Sequence, residues 1–233
     1  MARFGAMSGR KVDPMAEAQR LFPGEPRRGR RGQSDLGLPL PSIAMETLLD
    51  ATASVPWERP VHAARLAFLQ RVARPTELSV HVACGTDRLG FIDAALGLTT
   101  ILTDAEAAAL AVLSQQFSEL EQRLGPFTGS LQVRQLAVEA FASEAGFPAG
   151  GVHHLTLQNL FNAHLHPLHV QPRIINILLT VLADGGSVFI TASEAAVLAR
   201  QAPIQKMRLV KLGQIPGYYD EDVILLQAYR TAG

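Results

Sequence analysis

Cysteine and lysine are nearly absent from this chain. Cys84 is the only cysteine in 233 residues, which excludes an intramolecular disulfide and a thiolate metal cluster within one chain. No apolar run exceeds about ten residues, against the ~20 needed to cross a bilayer. Arginines near the N-terminus are not followed by an uninterrupted apolar stretch, so no secretory signal is expected, and Asp13, Glu17 and Glu25 argue against a transit peptide. Missing too are a Gly-x-Gly-x-x-Gly after a strand, a phosphate loop ending in Gly-Lys-Ser/Thr and a Gly-x-Ser-x-Gly elbow. These absences point away from the common enzyme chemistries. They lead to an expectation of a cytoplasmic or virion-associated protein, neither secreted nor inserted in a membrane.

What is present begins with a charge split hidden by a formal net charge of zero. The first 32 residues hold eight Lys/Arg against three Asp/Glu, and the remaining 201 hold thirteen against eighteen. A basic arm thus precedes a mildly acidic body. Arginine outnumbers lysine eighteen to three, a skew that a GC-rich coding sequence produces by itself. Only the cluster Arg27, Arg28, Arg30 and Arg31 rises above it. Residues 1–41 are rich in Gly, Pro and Arg after a short helix starting at Asp13-Pro14, and are expected to be extended or disordered alone. Residues 42–233 are expected to form a single body.

Within that body, helices are predicted after Ser42 and Pro60. The run Leu78, Val80, Val82, Cys84 alternates with Ser79, His81 and Ala83, which predicts a half-buried strand. Thr103 and Glu106 have the spacing of a capping box, and Leu110, Leu113, Phe117, Leu120 and Leu124 continue as a helix stopped by Gly125-Pro126. A shorter helix is read over 130–145. Residues 153–161 read as a strand. The apolar segment 174–182 leads through Asp184-Gly185-Gly186 into 187–191, which has the chemistry of a hairpin. Thr191 and Glu194 repeat the capping-box spacing, and strands follow over 207–212 and 222–229. The resulting expectation is α+β: a helical middle segment packed on an antiparallel sheet built mainly from the C-terminal third, with an extended N-terminal arm.

Five of the seven histidines, His153, His154, His164, His166 and His169, fall within 17 residues. Imidazole is a common ligand of borderline metals, so His164, His166 and His169 are candidate ligands for a divalent transition metal, with His153 or His154 as further donors. His164-Leu-His166 followed by Gln171 is similar to part of a cupin motif, with Gln171 where the carboxylate belongs and no second motif downstream. Cys84 is read as a small core residue, because His81 lies on the opposite face of a regular strand and cannot activate it.

The arm arginines can neutralise phosphates and give salt-sensitive binding to nucleic acid, but no aromatic residues are interleaved for stacking. Tyr218 and Tyr219, in a loop between the last two strands, are candidate interface residues. The layout resembles that of viral and phage shell or connector proteins, in arrangement only. The leading expectation is therefore a non-enzymatic structural or assembly subunit, without a cofactor, whose partners are copies of itself or neighbouring subunits. A metal-binding protein using the histidine cluster, and a nucleic-acid-binding oligomer using the arm, are the alternatives.

Overall fold

The computed structural model of the chain describes residues 45–56, 58–143, 146–157, 160, 171–215 and 222–231. In chain order the elements are α1 (Met45–Thr52), α2 (Glu58–Val72), β1 (Leu78–Val82), α3 (Leu89–Ala95), β2 (Thr99–Asp104), α4 (Ala107–Leu124) and β3 (Ser130–Gln135). They continue with β4 (Val152–Leu157), α5 (Gln171–Val181), β5 (Leu182–Thr191), α6 (Ala192–Gln201), β6 (Met207–Ile215) and β7 (Val223–Arg230). One seven-stranded sheet runs in the order β3-β2-β1-β4-β5-β7-β6. Its first five strands are parallel, and β7 and β6 are antiparallel additions at one edge.

This is a doubly wound α/β fold, which corrects the α+β expectation of a helical middle on an antiparallel sheet. The reasons lie in particular segments. Residues 130–135 form the edge strand β3, hydrogen-bonded in parallel to β2, where a helix was expected. The apolar segment thought to start a hairpin is the helix α5, which buries Ile174, Ile175, Leu178 and Leu179. Their spacing of one and four is helical, and Asn176, Ile177 and Thr180 lie on its less buried side. Asp184-Gly185-Gly186 belongs to β5 itself, not to a turn between two strands. Thr103 ends no loop. It sits inside β2 and its hydroxyl donates to the carbonyl of His81 at 2.8 Å, so α4 begins without the expected capping box. The three-four spacing does produce α4, with Leu110, Leu113, Phe117 and Leu120 buried and Gly125 turning the chain at φ +93°.

Strands of a parallel sheet are covered on both faces, so their sequences lose clean alternation. One face of the sheet packs Val80, Val82, Leu155, Leu157, Val188 and Ile190 against α5 and α6. The other meets α1, α2 and α3 through Leu48, Val61, Leu66, Leu89, Ile92 and Phe189. Ser79 and His81, expected to face solvent, are buried on this second side. They are accommodated because Arg65 of α2 and Asp93 of α3 are buried with them. Arg65 donates to both carboxylate oxygens of Asp93, at 3.1 and 2.6 Å, and Asp93 also accepts from the hydroxyl of Ser79 at 2.6 Å. The His81 ring nitrogen Nε2 lies 2.9 Å from the same carboxylate. The Arg65 and Asp93 charges thus pair with each other, as burial requires, while Arg65 Nη1 is buried without a hydrogen-bond partner.

No helix among the described residues is long and apolar enough to cross a membrane. The arm arginines Arg27, Arg28, Arg30 and Arg31 lie outside the described residues, as do Tyr218, Tyr219, His164, His166 and His169.

Candidate functional site

In a doubly wound sheet, ligands bind beyond the carboxyl ends of the strands where the strand order reverses. Here that point lies between β1 and β4, since the chain passes from β1 to β2 and β3 on one side and then returns to β4 on the other. The segments leaving this point are residues 83–88, between β1 and α3, and residues 158–170, between β4 and α5. Most of the second segment, including His164, His166 and His169, is outside the described residues.

The β1 loop reads Ala83-Cys84-Gly85-Thr86-Asp87-Arg88. Its backbone turns left-handed at Ala83, with φ +49°, and again at Gly85, with φ +53°. Gly90 lets α3 lie against the sheet, because a Cβ there would come within 2.4 Å of Leu102 Cδ2. Turn, open approach and close helix packing are the three tasks of a glycine fingerprint in the first βα unit. The chain performs them with Ala83, Gly85 and Gly90, a spacing that a search for Gly-x-Gly-x-x-Gly passes over. The readable signal was Gly85 at the end of an apolar strand with a carboxylate about twenty residues on.

That carboxylate is Asp104, the last residue of β2. Its Oδ2 accepts the Gly85 N–H at 2.9 Å, and its Oδ1 accepts the Glu106 N–H at 2.8 Å. The acid therefore ties the β1 loop to the end of β2 while remaining partly exposed. The other loop donors also point inward. The Cys84 N–H goes to the Thr103 carbonyl and the Asp87 N–H to the Cys84 carbonyl, both at 3.0 Å. Asp87 Oδ1 accepts the Leu89 N–H at 2.7 Å and so covers the start of α3. Arg88 turns away, its Nε donating to Gln116 of α4 at 3.0 Å. The mouth of the site thus presents two carboxylates and few free N–H groups.

Cys84 feels the charge of both carboxylates. Burial, with Asp104 and Asp87 adding to it, pushes its thiol up to about 12, so no thiolate nucleophile exists here at neutral pH. His81 points to Asp93 and not to Cys84, as the strand geometry predicted. His153 and His154 do not gather into a metal site. His153 Nδ1 accepts the Leu78 N–H at 3.2 Å, and His154 is held between Ser187 at 2.8 Å and Glu77 at 3.0 Å. Among the described residues no group of three His, Cys, Asp or Glu is placed to hold a metal ion.

The sheet order, its antiparallel edge and the alternating helices make a Rossmann-like fold, which solved S-adenosylmethionine-dependent methyltransferases share. Solved structures similar to the chain include TYW2 from P. horikoshii in complex with MeSAdo, with a TM-score of 0.56 and 13% identity over 77% of this chain and 65% of that one. A SAM-dependent methyltransferase from Methanosarcina mazei gives 0.52 and 10% identity, covering 71% of this chain and 98% of that one. The CurJ carbon methyltransferase gives 0.53 and 13% identity, covering 80% of this chain and 58% of that one. The chain thus spans less than two thirds of the length of TYW2 and of CurJ. The sequence matches no protein-family model and no curated protein.

This likeness corrects the expectation of a structural, virion or capsid-like assembly subunit; the arm arginines and His164, His166 and His169 lie outside the described residues. The likeness also corrects the expectation of no cofactor or a divalent metal: the similar solved structures include a SAM-dependent methyltransferase and a carbon methyltransferase. In the sequence the basic arm is the strongest charge signal, whereas the β1 loop, with Ala83 and Asp87 around Gly85, carries no recognisable glycine motif.

Proposed function

We propose that this chain is an S-adenosylmethionine-dependent methyltransferase whose cofactor lies at the ends of β1, β2 and β4. The observation that carries the reading is the polarity of the β1 loop. Its N–H groups at Cys84, Gly85 and Asp87 are already bonded within the fold, and the loop itself carries the Asp87 carboxylate. A dinucleotide brings a pyrophosphate, which needs free N–H donors and no nearby carboxylate. S-adenosylmethionine has no phosphate, and its sulfonium and ammonium together outweigh its single carboxylate, so the loop that repels the first attracts the second. When bound, it supplies a methyl group on positively charged sulfur, ready for attack by a nucleophile.

The residues fit that ligand in a definite way. Asp104, 19 residues beyond Gly85, stands where the acidic residue of such folds accepts ribose hydroxyls. One oxygen braces the loop and the other braces Glu106, so both lone-pair sets are oriented before any ligand arrives. Gly85 leaves open space, with nothing within 4 Å of where a Cβ would stand. Titration calorimetry on the full chain tests the reading. We expect S-adenosylmethionine to bind and NAD⁺ not to bind. Asp104→Ala should weaken S-adenosylmethionine by about 10- to 100-fold, the worth of hydrogen bonds to a charged group. Binding of NAD⁺ with no binding of S-adenosylmethionine would overturn it.

A further inference from the structure

We propose that Asp87, backed by His62, recognises the positively charged methionine end of S-adenosylmethionine; this inference rests on the function proposed above. Asp87 occupies the loop where a glycine fingerprint would offer only backbone. Its side chain is 24% exposed, while that of His62 behind it is 1% exposed. Among the described residues no lysine or arginine is paired with Asp87, and Arg88 beside it is held by Gln116.

The protonation of His62 follows from its neighbours. The Thr52 hydroxyl donates to the carbonyl of Leu48 at 3.0 Å, so its oxygen accepts from His62 Nδ1 at 3.1 Å. The proton is therefore on Nδ1, and Nε2 is a bare acceptor, buried and without a hydrogen-bond partner. Burial first, then the charges of His81 and Arg88, lower this imidazole to about 3, which keeps it neutral. Nε2 lies 3.9 Å from Asp87 Oδ1. Two acceptors thus face each other across a gap, with a carboxylate that burial pushes up to about 6. Above that pH the carboxylate is ionised yet poorly solvated, and a cation is the ligand that relieves it. The charged or titratable groups acting on Asp87 include His62 and Glu58 on α2, His81 on β1, Asp93 on α3 and the Cys84 thiol of its own loop.

The experiment is calorimetry at pH 8 on the full chain and on Asp87→Asn and Asp87→Ser, both of which keep an acceptor for the Leu89 N–H. Three ligands are compared: S-adenosylmethionine, S-adenosylhomocysteine, which keeps the ammonium but not the sulfonium, and methylthioadenosine, which has neither. We expect both variants to weaken S-adenosylmethionine by about 10- to 100-fold and to bind methylthioadenosine within about twofold of the parent, since a ligand without the cation loses no charge-assisted bond. An equal loss for S-adenosylhomocysteine assigns the contact to the ammonium; a loss for S-adenosylmethionine alone assigns it to the sulfonium. If the folded variants bind S-adenosylmethionine as tightly as the parent, or lose methylthioadenosine equally, the inference is overturned and the proposed function stands. Failure of the parent to bind S-adenosylmethionine overturns both. For His62 as a positioning residue, the readout is the pH profile. Parent affinity should fall as pH drops through about 6, and His62→Gln, which turns an amide N–H toward Asp87, should move that midpoint to lower pH. An unmoved midpoint removes His62 from the role.

Discussion

Ala83 holds a left-handed conformation, φ +49°, that side chains with a Cβ enter at a cost of roughly 1–2 kcal/mol. Such strain persists where surrounding structure over-determines it, and it gathers at functional loops. Here the Cys84 N–H bond to Thr103 and the Gly85 bond to Asp104 fix the loop on both sides of the turn. Ala83→Gly should therefore be neutral or stabilising by up to about 1 kcal/mol, because relief of strain is partly offset by the freer unfolded chain. Ala83→Val should destabilise by about 1–3 kcal/mol, since branching at Cβ worsens the same clash. Urea denaturation of the two variants checks the pair; a valine as stable as the parent would contradict the strain argument. Residue identity alone concealed this site. An alanine in a glycine's backbone position reads as ordinary strand, and only the dihedral angle shows otherwise.

The elements were legible where one face decides burial and illegible where two do. The helix α4 has a solvent side, so its apolar stripe was readable. β1 was misread as half buried, because Ser79 and His81 look like solvent residues until Arg65 and Asp93 arrive from α2 and α3 to pair with them. That pairing joins residues 28 apart in sequence, with no local signal linking them. Its energetic consequence is specific. Asp93→Asn leaves the Arg65 guanidinium buried without its counter-charge and should cost about 3–5 kcal/mol. The double replacement Arg65→Met with Asp93→Leu removes both charges but leaves Ser79 and His81 buried without their partners, so it should recover only part of that. A double-mutant cycle by urea denaturation measures the coupling. Equal stability of Asp93→Asn and the parent would show that the charge pair contributes nothing.

At the scale of the whole molecule, the buried titratable groups set how stability responds to acid. Burial dominates in lowering both His62, to about 3, and His154. The unfolded chain binds protons at these histidines near pH 6.5 while the folded chain does not. Their contribution is complete above that pH and declines as pH falls. Asp93 is held well below the usual carboxylate range: burial opposes this, but the charges of Arg65 and His81 overcome it. Its stabilisation is present above about pH 4 and is lost as pH falls through its folded value. Asp87 acts in the opposite sense, because burial pushes it up to about 6, so it costs stability as pH rises from about 4 through 6. Two histidines outweigh this one carboxyl, and we expect the melting temperature to decline from about pH 6.5 downward. His62→Gln should flatten the decline between about pH 6.5 and 4. Circular-dichroism melts across pH 8 to 4 decide it; a melting temperature constant to pH 4.5 would contradict the burial of neutral imidazoles.

The sequence by itself determined the regular pieces whose burial pattern is local: the helix α4 with its Gly125 stop, the strands β1 and β4, and the two C-terminal strands. It also determined the single unpaired cysteine and the absence of an apolar run long enough to span a bilayer. The tertiary structure alone decided that the strands run parallel, that the segment after Gly129 is a strand, and that the segment before Asp184 is a helix. It alone brought Asp104 to Gly85 and Asp93 to Arg65. The physical reason is common to all of these. A short apolar segment fits either a buried strand or a helix face, and a polar residue fits either water or a buried partner. The choice is made by neighbours that arrive from distant parts of the chain.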